Sequence, residues 1–250
     1  MSPTGGPSRP TPLLPGGEHL TAVLLAGHSN SGKTPLGRRV EHDLSEPGRR
    51  FVHFDFGHCL RGVAGGNPVA KLSPEEIAYV HSVMNGRLMD DQHFGIARKL
   101  LAGFLRHTSF NAHTDPLLLN GPPRPTGQAR DPATAGVRVA MLILLRCDPE
   151  TALRRMSLAA RGRGHENRGD RHDNTLPILR RKCESFNRDT MPMVEHYRKR
   201  DVPIVTIEVT PEMTPGEMLG RVEAELEWPE GGGRRAESRR QKAEGRRAVV

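Results

Sequence analysis

Near its start the chain sets Gly27-x-x-x-x-Gly32-Lys33-Thr34 directly behind the apolar run Thr21-Ala-Val-Leu-Leu-Ala26. This is the pattern of a phosphate-binding loop, and each residue type has a reason. Gly27 and Gly32 let the backbone curl until its N–H groups surround phosphate oxygens. His28, Ser29, Asn30 and Ser31 fill the turn between them. Lys33 sets a cation beside the β- and γ-phosphates of a nucleoside triphosphate, and the Thr34 hydroxyl can ligate Mg²⁺. Pro35 to Val40 can open a helix whose positive end faces the anion. Proline is tolerated there because N–H groups of the first turn have no helical partner.

The elements needed to hold such a loop can be read along the chain. Residues 19–27 form a first strand and 32–44 the helix after the loop. Phe51-Val-His-Phe-Asp-Phe56 reads as a second strand, and Ser73-Pro-Glu-Glu76 as a helix start with Ser73 as N-cap and Glu76 completing a capping box. Gln92 to His107 places Phe94, Ala97, Leu100, Leu101 and Leu105 on one helical face. Asp115-Pro-Leu-Leu-Leu-Asn120 is a short strand. Val137 to Cys147, apolar over Ala140 to Leu145, has the character of a central parallel strand covered on both faces. A helix from Pro149 to about Ala160, a glycine- and charge-rich loop over 161–170, helix over most of 175–199, a strand at 203–209 and a helix at 215–227 complete the body. Strands alternating with helices predict an α/β fold with a parallel sheet.

Composition narrows the setting. The 250 residues suit one α/β domain with small insertions. Aromatic residues are only 4%, so the core is expected to rest on aliphatic side chains. No apolar run approaches the ~20 residues of a membrane span. Met1 to Gly17 lacks the apolar stretch of a secretory signal, and residues 1–18 read as a flexible leader. Cys59, Cys147 and Cys183 have no metal-ligand spacing, and read as reduced structural thiols in a cytoplasmic protein. Of the formal charge of +8, the segment 231–250 carries +5, from seven Lys and Arg against two Glu. With so few apolar residues around it, the stretch 229–250 is expected to be a disordered basic tail, able at most to bind nucleic acid weakly. His28, His53 and His58 offer no i,i+4 pair with a carboxylate, so no metal role is assigned to them.

Four further segments, in order behind the phosphate loop, resemble the adenylate kinase or nucleoside monophosphate kinase family over roughly residues 20–225. Gly57-His-Cys-Leu-Arg61 looks like the family's Gly-Asp-x-Leu-Arg, and Asn85-Gly-Arg-Leu-Met-Asp-Asp91 is similar to its Gly-x-Leu-Val-x-Asp. Leu119-Asn-Gly-Pro-Pro-Arg-Pro-Thr-Gly-Gln-Ala129 resembles Asp-Gly-Phe-Pro-Arg-x-x-x-Gln-Ala. Arg155, Arg161, Arg171-His-Asp-Asn174, Arg181-Lys182 and Thr190-Met-Pro192 resemble the arginine set that flanks the lid. The resemblance implies a P-loop three-layer sandwich with a mostly parallel five-stranded sheet, a small acceptor-binding insertion at 54–88 and a short lid at 161–171, within a domain spanning 19–228.

It also implies roles. Gly27 to Thr34 and Arg155 would bind ATP. Phe56, Arg61, Gly121, Arg124 and Gln128 would form the acceptor side, with Arg61 and Arg124 on the monophosphate and Gln128 on an adenine edge. Lys33, Arg161, Arg171 and Lys182 would face the transferring phosphoryl group. Thr34 would bind Mg²⁺ directly and Asn120 through water. The implied reaction is ATP + AMP = 2 ADP by a monomer, with Mg²⁺ and no zinc, since the short lid has no cysteines.

Several residues depart from the family pattern. Asn120 replaces an aspartate and lacks the charge that strengthens contact with metal-bound water. Pro122 replaces a phenylalanine, His58 an aspartate, Phe56 a threonine and Asn174 an aspartate. Lys182 stands where arginine is usual and cannot give bidentate phosphate recognition. These departures keep two other readings open: a kinase for a hydroxyl-bearing acceptor oriented by Asp55, and a nucleotide-binding regulatory protein with weakened catalysis.

Overall fold

The computed structural model describes residues 13, 20–84, 89–121, 137–161, 175–225 and 228. Five strands form one sheet: β1 (Leu20–Ala26), β2 (Val52–Asp55), β3 (Leu117–Asn120), β4 (Val137–Arg146) and β5 (Ile204–Glu208). Their order is β2-β3-β1-β4-β5, and every pairing is parallel. Eight helices are described: α1 (Lys33–Asp43), α2 (Phe56–Ala64), α3 (Pro74–Val83), α4 (Phe94–His107), α5 (Pro149–Ala160), α6 (Leu176–Ser185), α7 (Met191–Arg198) and α8 (Pro215–Glu225). The α/β class and the parallel five-stranded sheet expected from the sequence are both present.

Strand side chains alternate between faces, and here both faces are apolar. Ala22, Leu24, Leu117, Leu119, Leu142 and Leu144 point into one cluster with residues of α2, α3, α4 and α7. Val23, Leu25, Leu118, Met141, Ile143 and Leu145 point into a second with residues of α1, α5, α6 and α8. The result is the three-layer sandwich. Leu13 is buried in the first cluster, and Trp228 closes the second with its ring edge-on to Phe51.

Local signals hold where a side chain closes its own turn. Ser73 accepts from the Glu76 N–H while Glu76 accepts from the Ser73 N–H, the reciprocal capping box. The helix expected from Gln92 begins as a 3₁₀ turn at Asp91–His93 and becomes α4 at Phe94. The long helical stretch expected over 175–199 is two helices joined by a π-helical turn at Phe186–Thr190. The second strand ends one residue early. Asp55 accepts from the His58 N–H and starts α2 at Phe56.

The sheet order sets the site. β1 lies at the centre, with β3 and β2 on one side and β4 and β5 on the other. The loop leaving the carboxyl end of β1 therefore stands at the switch point, where α/β sheets open a crevice for ligands.

Candidate active site

The loop from Gly27 to Gly32 turns the chain from β1 into α1 in very little space. A Cβ at Gly27 would lie 2.7 Å from Ser31 Oγ and 2.8 Å from the Leu145 carbonyl, and φ there is +148°. At Gly32, with φ +99°, it would meet Met218 Cε at 3.0 Å and Arg155 Nη2 at 3.2 Å. Both glycines are thus required by backbone and by neighbours. Asn30 adopts φ 67°, a region that asparagine tolerates. Ser31 Oγ donates to the His28 carbonyl at 2.9 Å and tightens the turn. Lys33 Nζ donates to the carbonyls of Gly27 and His28, the latter at 2.8 Å, which sets its charge over the loop.

His28 ties the loop to its surroundings. Its Nε2 donates to the Cys147 carbonyl just beyond β4, and its ring is edge-on to Phe186 at 6.3 Å. Burial holds the imidazole below its ordinary pKa, against the opposing pull of the Cys147 and Ser29 carbonyls. Lys182 lies near the end of α6, four residues before Phe186, which opens the π-helical turn that follows.

At the neighbouring strand ends three polar side chains converge. Parallel register sets Asp55 beside Asn120. Thr34 Oγ1 donates to Asp55 Oδ2 at 2.6 Å. Asn120 Nδ2 donates to Thr34 Oγ1 at 3.0 Å and to Asp55 Oδ2 at 3.3 Å. Burial raises the Asp55 pKa, but the hydrogen bonds from Thr34 and the His58 N–H, with the nearby His53 and Arg61 charges, outweigh it and leave the carboxyl below its ordinary value. Asp55 is the member of this cluster that motif reading left outside the main site. Its one sequence signal is a carboxylate at the carboxyl end of a predicted strand.

Arg61, one turn into α2, faces this group. A Cβ on Gly57 would lie 3.3 Å from Asp55 Oδ1 and 3.4 Å from Arg61 Nη1, so the two charged ends share one corner. Phe56 is buried in the first core cluster, and its Cβ would be 2.4 Å from a Cβ at Gly121. Gly121 is thus what lets the end of β3 pass the start of α2.

Arg155 on α5 lies against Gly32 on the other side of the loop. Its Nη1 donates to the Thr210 and Met213 carbonyls, each at 2.9 Å, so it also pegs the β5–α8 connection. Arg161 is the exposed C-cap of α5. Arg124, Gln128, Arg171 and Asn174 lie outside the described residues, as do residues 85–88, most of the expected lid and the basic segment after residue 228.

Burial pushes the Cys59 and Cys147 thiols up to about 12, so both are protonated and inert near neutrality. Among the described residues no group of three His, Cys, Asp or Glu side chains could hold a metal ion. A Mg²⁺ ion would suit this site differently, through one hydroxyl, one carboxylate and the oxygens of nucleotide and water. Among the described residues no helix is long and apolar enough to cross a membrane.

No protein-family model matches the chain. The chain is similar to UMP-CMP kinase 1 of Oryza sativa subsp. japonica, at 26% identity over 188 residues, which is 74% of this chain and 67% of the rice protein. That distant similarity supports the nucleoside monophosphate kinase family to which the motifs point.

Proposed function

We propose that this protein transfers the γ-phosphoryl group of ATP to a nucleoside monophosphate, and that AMP is the acceptor. The observation that carries the reading is a formed phosphate loop whose Thr34 touches the same strand-end cluster that Arg61 faces. Two anion-binding elements thus meet across the carboxyl ends of β1, β3 and β2. The similarity to the rice kinase supports the same class of reaction.

The residues divide the work as electrostatics requires. The N–H groups of the loop and the start of α1 cradle the triphosphate. Lys33 offsets negative charge on the transferring group, and Arg155 bounds the base side. A monophosphate acceptor has a second pKa of about 6, so its oxygen is a nucleophile near neutrality and needs no protein base. Arg61 and Arg124 orient that acceptor, and Arg161, Arg171 and Lys182 close over the phosphoryl group from the lid side. Thr34 is the side chain that would hold Mg²⁺, which when bound neutralises charge on the β- and γ-phosphates. Residues 54–88 act as the acceptor-binding insertion and 161–171 as the lid that excludes water.

AMP rests on Gln128, whose amide can both donate to and accept from an adenine edge. Coupled turnover of ATP with AMP, GMP, CMP, UMP and dTMP tests this. The expected result is the highest kcat/KM for AMP. A preference for CMP or UMP would overturn the base assignment and align the chain with its rice relative.

One observation favours a second reading. Asp55 is a half-buried carboxylate at the end of β2, beside Thr34 and Arg61, and the second reading has it orient an acceptor hydroxyl. Turnover with a hydroxyl-bearing acceptor and none with any monophosphate would select it.

A further inference from the structure

We propose that Asp55 supplies the carboxylate of the magnesium site, the task that the family pattern gives to the residue at Asn120. The inference rests on reading Gly27 to Thr34 as a nucleoside triphosphate site, and concerns which strand end serves the metal there.

The polarity of the hydrogen bonds carries the argument. Metal-bound water donates its protons and needs acceptors around it. Asn120 turns its NH₂ into the cluster, toward Thr34 and Asp55. Flipping the amide would press its oxygen against the Asp55 carboxylate, so the carboxylate fixes that orientation. A donor at the end of β3 has the wrong sign for this water. The carboxylate next to it, in register at the end of β2, has the right one.

Counting lone pairs leads to the same assignment. Thr34 gives its proton to Asp55 and accepts one bond from Asn120, which leaves one lone pair on the hydroxyl for a metal. With its proton committed, the hydroxyl cannot present a donor to the cation. Asp55 takes three hydrogen bonds among the described residues, from Thr34, Asn120 and the His58 N–H. A carboxylate has about four acceptor sites, so one remains for metal-bound water. Capping α2 accounts for Oδ1 alone. It does not explain why Oδ2 lies 2.6 Å from the one hydroxyl in the phosphate loop suited to magnesium. Asn120 then acts as a positioning residue that locks Thr34 and Asp55 together.

Mn²⁺ replaces Mg²⁺ as the probe, titrated by electron paramagnetic resonance into the full chain at saturating ADP. ADP affinity without metal is measured alongside. Asp55→Asn and Asp55→Ser both keep a cap for α2 and remove the charge. Each is expected to weaken Mn²⁺ binding by about tenfold or more, the usual cost of losing a group that orients a metal's ligands. Metal-free ADP affinity should not fall, because the proposal has Asp55 reach the nucleotide only through the metal, and removing its charge relieves repulsion with the phosphates. Mn²⁺ affinity within twofold of wild type in either folded variant would overturn the proposal. So would an equal loss of metal-free ADP binding, or failure of both variants to fold, since either outcome makes the carboxylate structural. A wild-type chain that binds no ADP at all would instead refute the reading of the phosphate loop.

Discussion

Replacing Arg155 with alanine should lower stability and nucleotide affinity together. The guanidinium makes two well-formed hydrogen bonds, to the Thr210 and Met213 carbonyls at 2.9 Å each, and a longer one to Pro211 at 3.4 Å. Bonds from a charged donor contribute roughly 1.5–3 kcal/mol each when buried. Arg155 is partly exposed, so about 1 kcal/mol each is a fairer figure, or ~2–3 kcal/mol in all with the packing lost against Gly32. For a domain of this size that corresponds to a fall in Tm of about 5–10 °C. Thermal unfolding without nucleotide reads this effect, and calorimetric titration with ADP reads the second, a rise in Kd from losing the wall on the base side. Arg155→Lys keeps the charge but not the planar fork, and should recover less than half of the Tm loss. A Tm within 1 °C of wild type in Arg155→Ala would refute the role of the loop contacts. An unchanged ADP Kd would separately refute the placement of Arg155 beside the nucleotide.

Acid should destabilise the protein through His28 first. Its folded pKa lies below the ordinary 6.5, so the unfolded chain binds the extra proton, and stability is full above about pH 6.5 and falls as pH drops below it. Asp55, depressed from 3.8, loses its contribution only at lower pH, so the windows separate. His28→Asn should flatten the stability profile between pH 6.5 and 5, and a slope equal to wild type there would contradict the assignment. A bisubstrate analogue joining adenosine to AMP should protect residues 54–88 and 161–171 from hydrogen exchange, and unchanged exchange at saturation would exclude closure of the two segments. Truncation after Glu230 should leave kcat and KM within about twofold of full length. A large loss of turnover would show that the basic segment reaches the active site.

Much of the fold was legible because local and global signals agree. The apolar run before Gly27 had to be a central strand, and Leu142 to Leu145, buried on both faces, had to be its neighbour. The Ser73 capping box and the Pro149 start are written within four residues, so they needed no tertiary information. The phosphate loop was legible for the same reason, since two glycines, a lysine and a threonine at fixed spacing state their own geometry. The strand-end cluster was not. Thr34, Asp55 and Asn120 are 21 and 65 residues apart in sequence, and only parallel register between β2 and β3 brings them together. The link from His28 to Cys147 spans 119 residues and has no sequence signature. The early end of β2 was equally hidden. Phe54 and Phe56 alternate as a strand should, but Asp55 caps a helix there.

The central claim is transfer of a phosphoryl group to a nucleoside monophosphate by this loop. The protein should be incubated with γ-labelled ATP, Mg²⁺ and the five common monophosphates, and the labelled products separated by chromatography. The account predicts that label appears in ADP. Lys33→Met, still folded by circular dichroism, should lose that transfer by a factor of at least about 100, since a contact of this kind supplies ~3 kcal/mol or more to the transition state. Label found only in inorganic phosphate, or transfer at near wild-type rate by folded Lys33→Met, would contradict the account.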